Sequence, residues 1–535
     1  MKKIAFAICI FTLVSGCKTE TSTKSELGTI SFEITGTEEA QSQFMQGLLL
    51  LHSFEYDDAR EAFLEAQESD PSCAMAYWGE AMTYNHPLWT EQDFEKASAA
   101  LENLEKTTKD VALRELEKDF IQGVTVLYGE GSKVDRDKAY AEYMKSLYEK
   151  YPGNHEVAAF YGLSLLGSVP VGRDDDVYQQ SARIVEGILA ENPRHPGALH
   201  YMIHANDDPY HAMQALEAAD AYAVVAPSAD HALHMPSHIY VAMGMWDQVV
   251  SSNEASYQAS VARMERKNFN NDERSYHAFH WLLYGYLQQG QIDKAKTILN
   301  EMVQYHNELP SKSARRHLIY IKSTYLIETG DWDNILAEVT TKADDINIRD
   351  RAEQDFISGM ILFRKGNPTE LENLISNMNE DRETAALKIS NEGIAMCSAG
   401  ASRSDASRLD INQAEVMAME LHAMLAMLKN QNREAENWMI KATELETSSS
   451  YSYGPPSIVK PSYELYGEFL LSEGRADEAM AQFEISLKRA PKRVLALKGV
   501  LQAAQMKGDA DKIKEVENML NEIRKEGKSM SASMN

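Results

Sequence analysis

The sequence predicts an all-α solenoid, a row of antiparallel helix pairs stacked side by side, and two observations carry that prediction. A spaced set of small and aromatic residues recurs near the two ends of the chain. Gly47, Ala59, Phe63, Ala66 and Pro71 stand at the same mutual offsets as Gly467, Ala479, Phe483, Ser486 and Pro491. Between them, helical periodicity alternates with short polar turns, and strand-like alternation is almost missing. The small residues let two helices approach closely, the aromatic fills their junction, and proline ends the second helix. A chain of 535 residues is long for one ordinary domain but suits an extended array, and 44% hydrophobic content supplies a continuous core.

That frame resembles the tetratricopeptide repeat, a helix pair of about 34 residues, and the resemblance implies a right-handed superhelical solenoid. Taken in order, residues 1–17 read as a targeting segment. Lys2 and Lys3 precede the apolar run IAFAICIFTLV, which is too short to span a membrane. Leu13-Val14-Ser15-Gly16-Cys17 resembles a bacterial lipobox. It implies that Cys17 carries lipid and anchors the chain to a membrane of the bacterial cell envelope, with the outer membrane or the periplasmic face favoured. Residues 18–36, rich in Thr, Ser, Glu and Lys, are expected to form a flexible tether. Residues 37–375 hold the N-terminal and central repeats, and residues 376–535 the C-terminal ones.

Proline at the end of a repeat places new repeats at Ala74, His155, Pro196 and Asp230. Where proline is missing, the turn glycines Gly290, Gly330 and Gly366 place starts near Tyr276, Arg316 and Ala352, and a weaker frame places one near Val416. Residues 380–410 and 448–461 break the pattern and are expected to be irregular connections.

The net charge of −28 sets the chain against nucleic acid phosphates and anionic lipid as partners. Once Cys9 leaves with the signal, only Cys73 and Cys397 accompany Cys17, and no Cys-x-x-Cys spacing occurs, so thiolate metal or redox sites are not expected. Neither a P-loop nor a Gly-x-Ser-x-Gly elbow is found.

The register does most for the histidines. In such repeats the first helix lines the concave groove, with positions 2, 5, 9, 12 and 13 facing inward. His200 and His204 fall at positions 5 and 9 of one repeat, and His234 and His238 at positions 5 and 9 of the next. His231 takes position 2, and after an insertion YHAFHWLLYGYL puts His277 at 2, His280 at 5 and Tyr284 at 9. His317 takes position 2 of the following repeat, and His86 position 13 of an early one, too many repeats away to share ligands. An i, i+4 pair stacks two imidazoles on one helix face, the chelating spacing of helical zinc sites. Pro236, between His234 and His238, must start or kink its helix.

The expectation is a transition-metal site (Zn, Cu or Fe) held by His200, His204, His234 and His238, with His231, His277 and His280 beside them. Asp207 and Asp208, at positions 12 and 13, are expected to add oxygen ligands or orient imidazole N–H groups. Should the protein be an enzyme, Tyr284, Asp207 and Asp208 are the acid–base candidates. A core role for the histidines is disfavoured, because positions 8, 20, 24 and 27 carry the core. The alternative is an interaction scaffold whose groove holds a protein, peptide or small-molecule ligand without metal. Whether the protein is an enzyme stays open.

PSCAMAYWGEAMTYNHPLW (71–89), HPGALHYMIH, HMPSHIY, YHAFHWLLYGYLQQG and GPPSIVKPSYELYGEFLL resemble a family of histidine-rich bacterial envelope tetratricopeptide repeat lipoproteins. The resemblance implies the fold and the histidine-bearing repeats, and it carries no activity.

Overall fold

The junction between two helix pairs shows why this chain folds as an array. Phe63, on the second helix of the first pair (Tyr56–Ser69), is fully buried and lies against two glycines. A Cβ on Gly47 would come within 2.7 Å of its ring, and one on Gly79, in the next pair, would come closer still. Phe483 stands in the same relation to Gly467 and Gly499 near the C-terminus. Near both ends of the array one aromatic thus seals a helix pair to its successor, and the absence of side chains opposite is what lets the helices close. The computed structural model describes residues 27–89, 91–395, 402 and 404–533, and within them it is an all-α solenoid of tetratricopeptide-like helix pairs.

First helices begin where the register puts them at Ala74–Met82, His155–Gly167, Pro196–Ala205 and Tyr276–Gln288. Lys312–Thr329, Ile348–Arg364 and Arg408–Leu428 begin earlier than Arg316, Ala352 and Val416, because glycine and alanine frames mark helix interiors and ends rather than starts. One pair was given no start: Glu115–Leu127 with Lys133–Lys150 ends at the frame proline Pro152, but no such proline precedes it. One repeat is incomplete, since Lys312–Thr329 is followed only by the short 3₁₀ turn Ile335–Glu338. The expected irregular connection at 448–461 lies between Ser448 and Ser462, whereas in 380–410 helix continues to Ala386 and resumes at Arg408, with 396–401 and 403 outside the described residues.

The tether expectation needs correction at its C-terminal end. From Leu27 the chain is packed: Leu27, Phe32 and Ile34 are buried, and Phe32 meets Phe120 edge to face and Phe44 at a tilt. Thr29 N–H donates to the Arg194 carbonyl at 2.9 Å, tying this segment to the fifth pair. The lipobox and Cys17 lie outside the described residues, as does Cys397. Among the described residues, no helix is long and apolar enough to cross a membrane.

The superhelix closes on itself. Helix Glu38–His52 packs against Pro196–Ala205, and the Lys492–Arg493 turn reaches back to Trp246 and Tyr284. This closure turns the concave groove into an interior cavity of about 850 Å³.

Candidate metal centre

Helix Pro196–Ala205 starts under three local constraints. Pro196 sits in the first turn, where its missing N–H costs nothing. The His195 ring caps the helix, its Nδ1 accepting from Ala198 N–H at 3.1 Å. Gly197 leaves room for His52, whose ring a Cβ there would overlap. His200 and His204 then project from one face. Their counterparts lie on a helix that Pro236 interrupts, as the sequence requires: Asp230–His234 and Pro236–Met243 are separate segments either side of Met235. His277 enters from the start of Tyr276–Gln288, where Ser275 caps the helix.

The structure gathers six of the seven expected ligands into two triads of the same design. His200, His204 and His231 bring ligand nitrogens within 4.8 Å of one another, and so do His234, His238 and His277. Each triad takes positions 5 and 9 of one repeat and position 2 of the next. The triads adjoin, with the His204 and His238 rings 5.5 Å apart and Asp207 between them.

Hydrogen bonds settle which nitrogens are available. His200 Nδ1 donates to the His52 carbonyl at 2.8 Å. His234 Nδ1 donates at 2.7 Å to Asn253 Oδ1, an acceptor because Asn253 Nδ2 is donating to the Val249 carbonyl. His238 Nδ1 donates to Asp207 Oδ2 at 3.2 Å, and His204 Nδ1 stands 3.4 Å from the same oxygen. With Nδ1 protonated in each neutral ring, Nε2 carries a lone pair. His234 Nε2 then faces His238 Nε2 at 3.2 Å, His200 Nε2 faces His231 Nε2 at 3.2 Å, and His204 Nε2 is buried without a partner.

These rings are buried. His200, His204, His234 and His238 expose only 0%, 4%, 2% and 3% of their surface, which corrects the expectation that disfavoured a buried place for them. The superhelical closure supplies the cover: Phe54, with a left-handed backbone (φ 57°), sets its ring 4.3 Å from His200, and Tyr222 stacks on His200 at 5.4 Å. His231 and His277 open onto the cavity, as do the rims of His204, His234 and His238. Burial, and next the neighbouring imidazole, holds His200, His231, His234 and His277 well below the usual histidine range. Burial lowers His238 too, with Asp207 opposing. For Asp207, burial pushes upward, but the bonds from His204 and His238 prevail and hold it at about 2. Carboxylates outnumber lysines and arginines on the cavity wall, which favours cations.

The remaining candidates go elsewhere. His280 Nε2 bonds Thr324 Oγ1 at 2.9 Å and joins neither triad. Tyr284 is buried against Arg493, its hydroxyl 3.0 Å from Nη1, and does not line the cavity. Asp208 pairs with Arg173 at 3.0 Å and His211 at 2.8 Å, whereas Asp207 both orients imidazoles and pairs with Arg173 at 3.1 Å. His86 bonds the Thr83 carbonyl, and both it and His317 lie on the cavity wall outside the triads.

Another buried group, His52, Glu156 and His195, is spaced for a metal but already satisfied. Its ring nitrogens are taken by Glu156 at 2.8 and 3.2 Å, by the Tyr201 hydroxyl and by Ala198 N–H. It braces the His52 carbonyl that holds His200.

Sequence reasoning missed Asn253, Phe54, Trp281 and Tyr453. Trp281 and Tyr453 both stack on His238, at 4.7 and 4.6 Å. Trp281 stood in the quoted YHAFHWLL stretch, but Asn253 and Tyr453 carry no local signal.

No protein-family model matches the chain, and no curated protein is significantly similar to it. Among solved structures, yeast Tom70 is 12% identical, covering 88% of this chain and 96% of that one, with a TM-score of 0.33. The human IFIT1 dimer with m7Gppp-AAAA is 12% identical over 91% of this chain and 95% of that one, with a TM-score of 0.36. The P58(IPK) TPR domain is 14% identical over 88% and 99%, with a TM-score of 0.21. Likeness at these scores carries no argument about this chain. Its own geometry stands without them: tetratricopeptide-like helix pairs wound around two histidine triads.

Proposed function

We propose that this is an envelope-anchored metalloprotein whose two triads hold transition-metal ions on the wall of the central cavity. The observation that carries this is the 3.2 Å Nε2–Nε2 approach of His234 and His238, both with Nδ1 committed to an acceptor, beside the matching 3.2 Å approach of His200 to His231. Two nitrogens each 2.0–2.1 Å from one tetrahedral ion stand about 3.3 Å apart. Bare lone pairs held at that distance in a buried site repel unless a cation lies between them. The all-imidazole donor set suits zinc, copper or iron. Three protein ligands beside a cavity is the pattern of catalytic zinc, and a bound ion there would supply Lewis acidity and an activated water. A cavity of about 850 Å³ admits a small molecule or a short peptide. The Leu13–Cys17 lipobox supports the envelope anchor.

A second reading, a groove that holds peptide without metal, has one observation in its favour: an irregular segment of this chain, residues 449–461, already lies along the cavity wall.

Elemental analysis of residues 18–535, purified without chelator, tests the proposal. The wild-type protein should carry or take up Zn, Cu or Fe, and a variant with His200, His204, His234 and His238 changed to Ala should not. A wild-type protein that takes up none of these sinks the metal reading and leaves the peptide groove. Metal retained by the variant refutes this site.

A further inference from the structure

The connection between Asn432–Ser448 and Ser462–Ser472 does more than join two helices. It crosses the cavity to reach histidines more than 200 residues away in sequence. Tyr453 stacks on His238 with ring centres 4.6 Å apart and meets His204 edge-on at 6.4 Å. Gly454, in a left-handed conformation (φ 90°), presses its Cα so closely on Trp281 that any Cβ would overlap the indole. The strap's first half is fastened from other repeats by a few polar contacts, whereas Ile458, Val459 and Lys460 are buried and anchor its second half. Arg173 N–H donates to Ser450 Oγ at 3.0 Å, Gln413 Nε2 to Ser452 Oγ at 3.1 Å, and Arg349 Nη2 to the Ser457 carbonyl at 2.9 Å. Tyr453 keeps 39% of its surface exposed. Residues 449–457 can therefore lift about the buried Ile458, Val459 and Lys460 without unwinding a helix, yet they are in direct contact with a ligand of one triad and beside a ligand of the other.

We propose that the 449–461 strap is the closing element of the histidine centre, with Tyr453 a positioning residue for His238, so that strap closure and metal occupancy reinforce each other. This rests on the metal reading above. Packing against Tyr453 and Trp281 fixes the plane of the His238 ring and aims its Nε2 at His234. An ion that needs His238 in that pose favours the closed strap, and by linkage the closed strap favours the ion to the same degree. Metal and ligand exchange then require the strap to open.

The test is titration of the metal-free chain with Co²⁺, followed by visible absorption and elemental analysis, together with chymotrypsin cleavage at Tyr451 and Tyr453. Y453A should bind Co²⁺ about 10–100-fold more weakly, the range for losing a group that orients a ligand, while Y453F, which keeps the stack, should bind like the wild type. G454A, which lifts the strap off Trp281 without touching the tyrosine, should weaken binding in the same sense. Co²⁺ should slow strap cleavage in the wild type and do so less in G454A. Unchanged melting of the metal-free variants separates these effects from misfolding. A wild-type chain that binds Co²⁺, with Y453A and G454A binding equally well and strap cleavage indifferent to metal, overturns the inference and leaves the metal reading intact. A wild-type chain that takes up no Co²⁺ overturns both.

Discussion

His234 and His238 point their Nε2 atoms at each other across 3.2 Å, while Asn253 and Asp207 occupy the two Nδ1 atoms. Neutral rings in this arrangement aim lone pairs at one another. Only a metal ion or a proton between them relieves the repulsion, so metal and acid compete for the same atoms.

That competition sets a pH dependence with a definite sign. His200, His231, His234, His238, His277 and His280 are all lowered, burial being the first cause. For each, the unfolded chain binds more protons between the folded pKa and about 6.5, so stability rises with pH across that window and is flat above it. The metal-free protein should therefore lose melting temperature steadily as pH falls below about 6.5. Asp207 and Glu156, each held at about 2, add a second loss only as pH falls below the ordinary carboxylate range. Saturating Zn²⁺ should raise the melting temperature at neutral pH and lose that effect on acidification. A melting temperature that does not fall between neutral pH and about 5 would refute the buried neutral histidines.

Asp207 is the one carboxylate that touches both triads, and it is also paired with Arg173. Asp207→Asn keeps the shape but removes the charge that orients His204 and His238. We expect metal affinity to fall about 10–100-fold. Stability should drop by about 3 kcal/mol, the low end for breaking a buried ion pair, because Asp208 still holds Arg173. Metal titration and denaturant unfolding of the same sample measure both. Full metal affinity in Asp207→Asn would remove it from the site.

The triads were largely legible because helical register is a local property. Once Pro193 and Pro227 set the frame, positions 5 and 9 of one repeat and position 2 of the next followed from spacing alone. Burial was not legible. It arises where helix Glu38–His52 folds over Pro196–Ala205 and where the strap brings Tyr453 to His238. Such closure is the sum of small rotations between successive repeats, and no short stretch encodes it. Tyr284 shows the converse error: its position 9 is correct, but a later repeat has packed over that face and placed Arg493 there.

The Phe63 junction gives a test of the fold that is independent of the site. Phe63→Ala removes a fully buried ring shared by two pairs and should cost about 3–5 kcal/mol. Gly79→Ala drives a Cβ into that ring and should cost about 1–3 kcal/mol. In a repeat array each pair leans mainly on its neighbours, so hydrogen exchange should quicken first in helices Glu38–His52, Tyr56–Ser69 and Ala74–Met82. Uniform quickening along the whole chain would show that the superhelix unfolds as one unit.

Tyr284 and Arg493 separate a structural role from a chemical one. Arg493 is fully buried and pairs with Glu464 and Glu328, each at 2.5 Å, while donating to the Tyr284 hydroxyl at 3.0 Å. This cluster ties the last repeats to the centre of the chain. Arg493→Ala takes the shared guanidinium from two buried carboxylates, leaving Glu464 to Lys460 and Glu328 to Gln288, and should cost about 3 kcal/mol, with the C-terminal repeats loosening first. Tyr284→Phe leaves the ion pairs in place and loses one hydrogen bond, about 1 kcal/mol. Because Tyr284 lies off the cavity wall, metal content and affinity in Tyr284→Phe should match the wild type. A metal affinity that falls with Tyr284→Phe while the melting temperature holds would return this tyrosine to the metal centre.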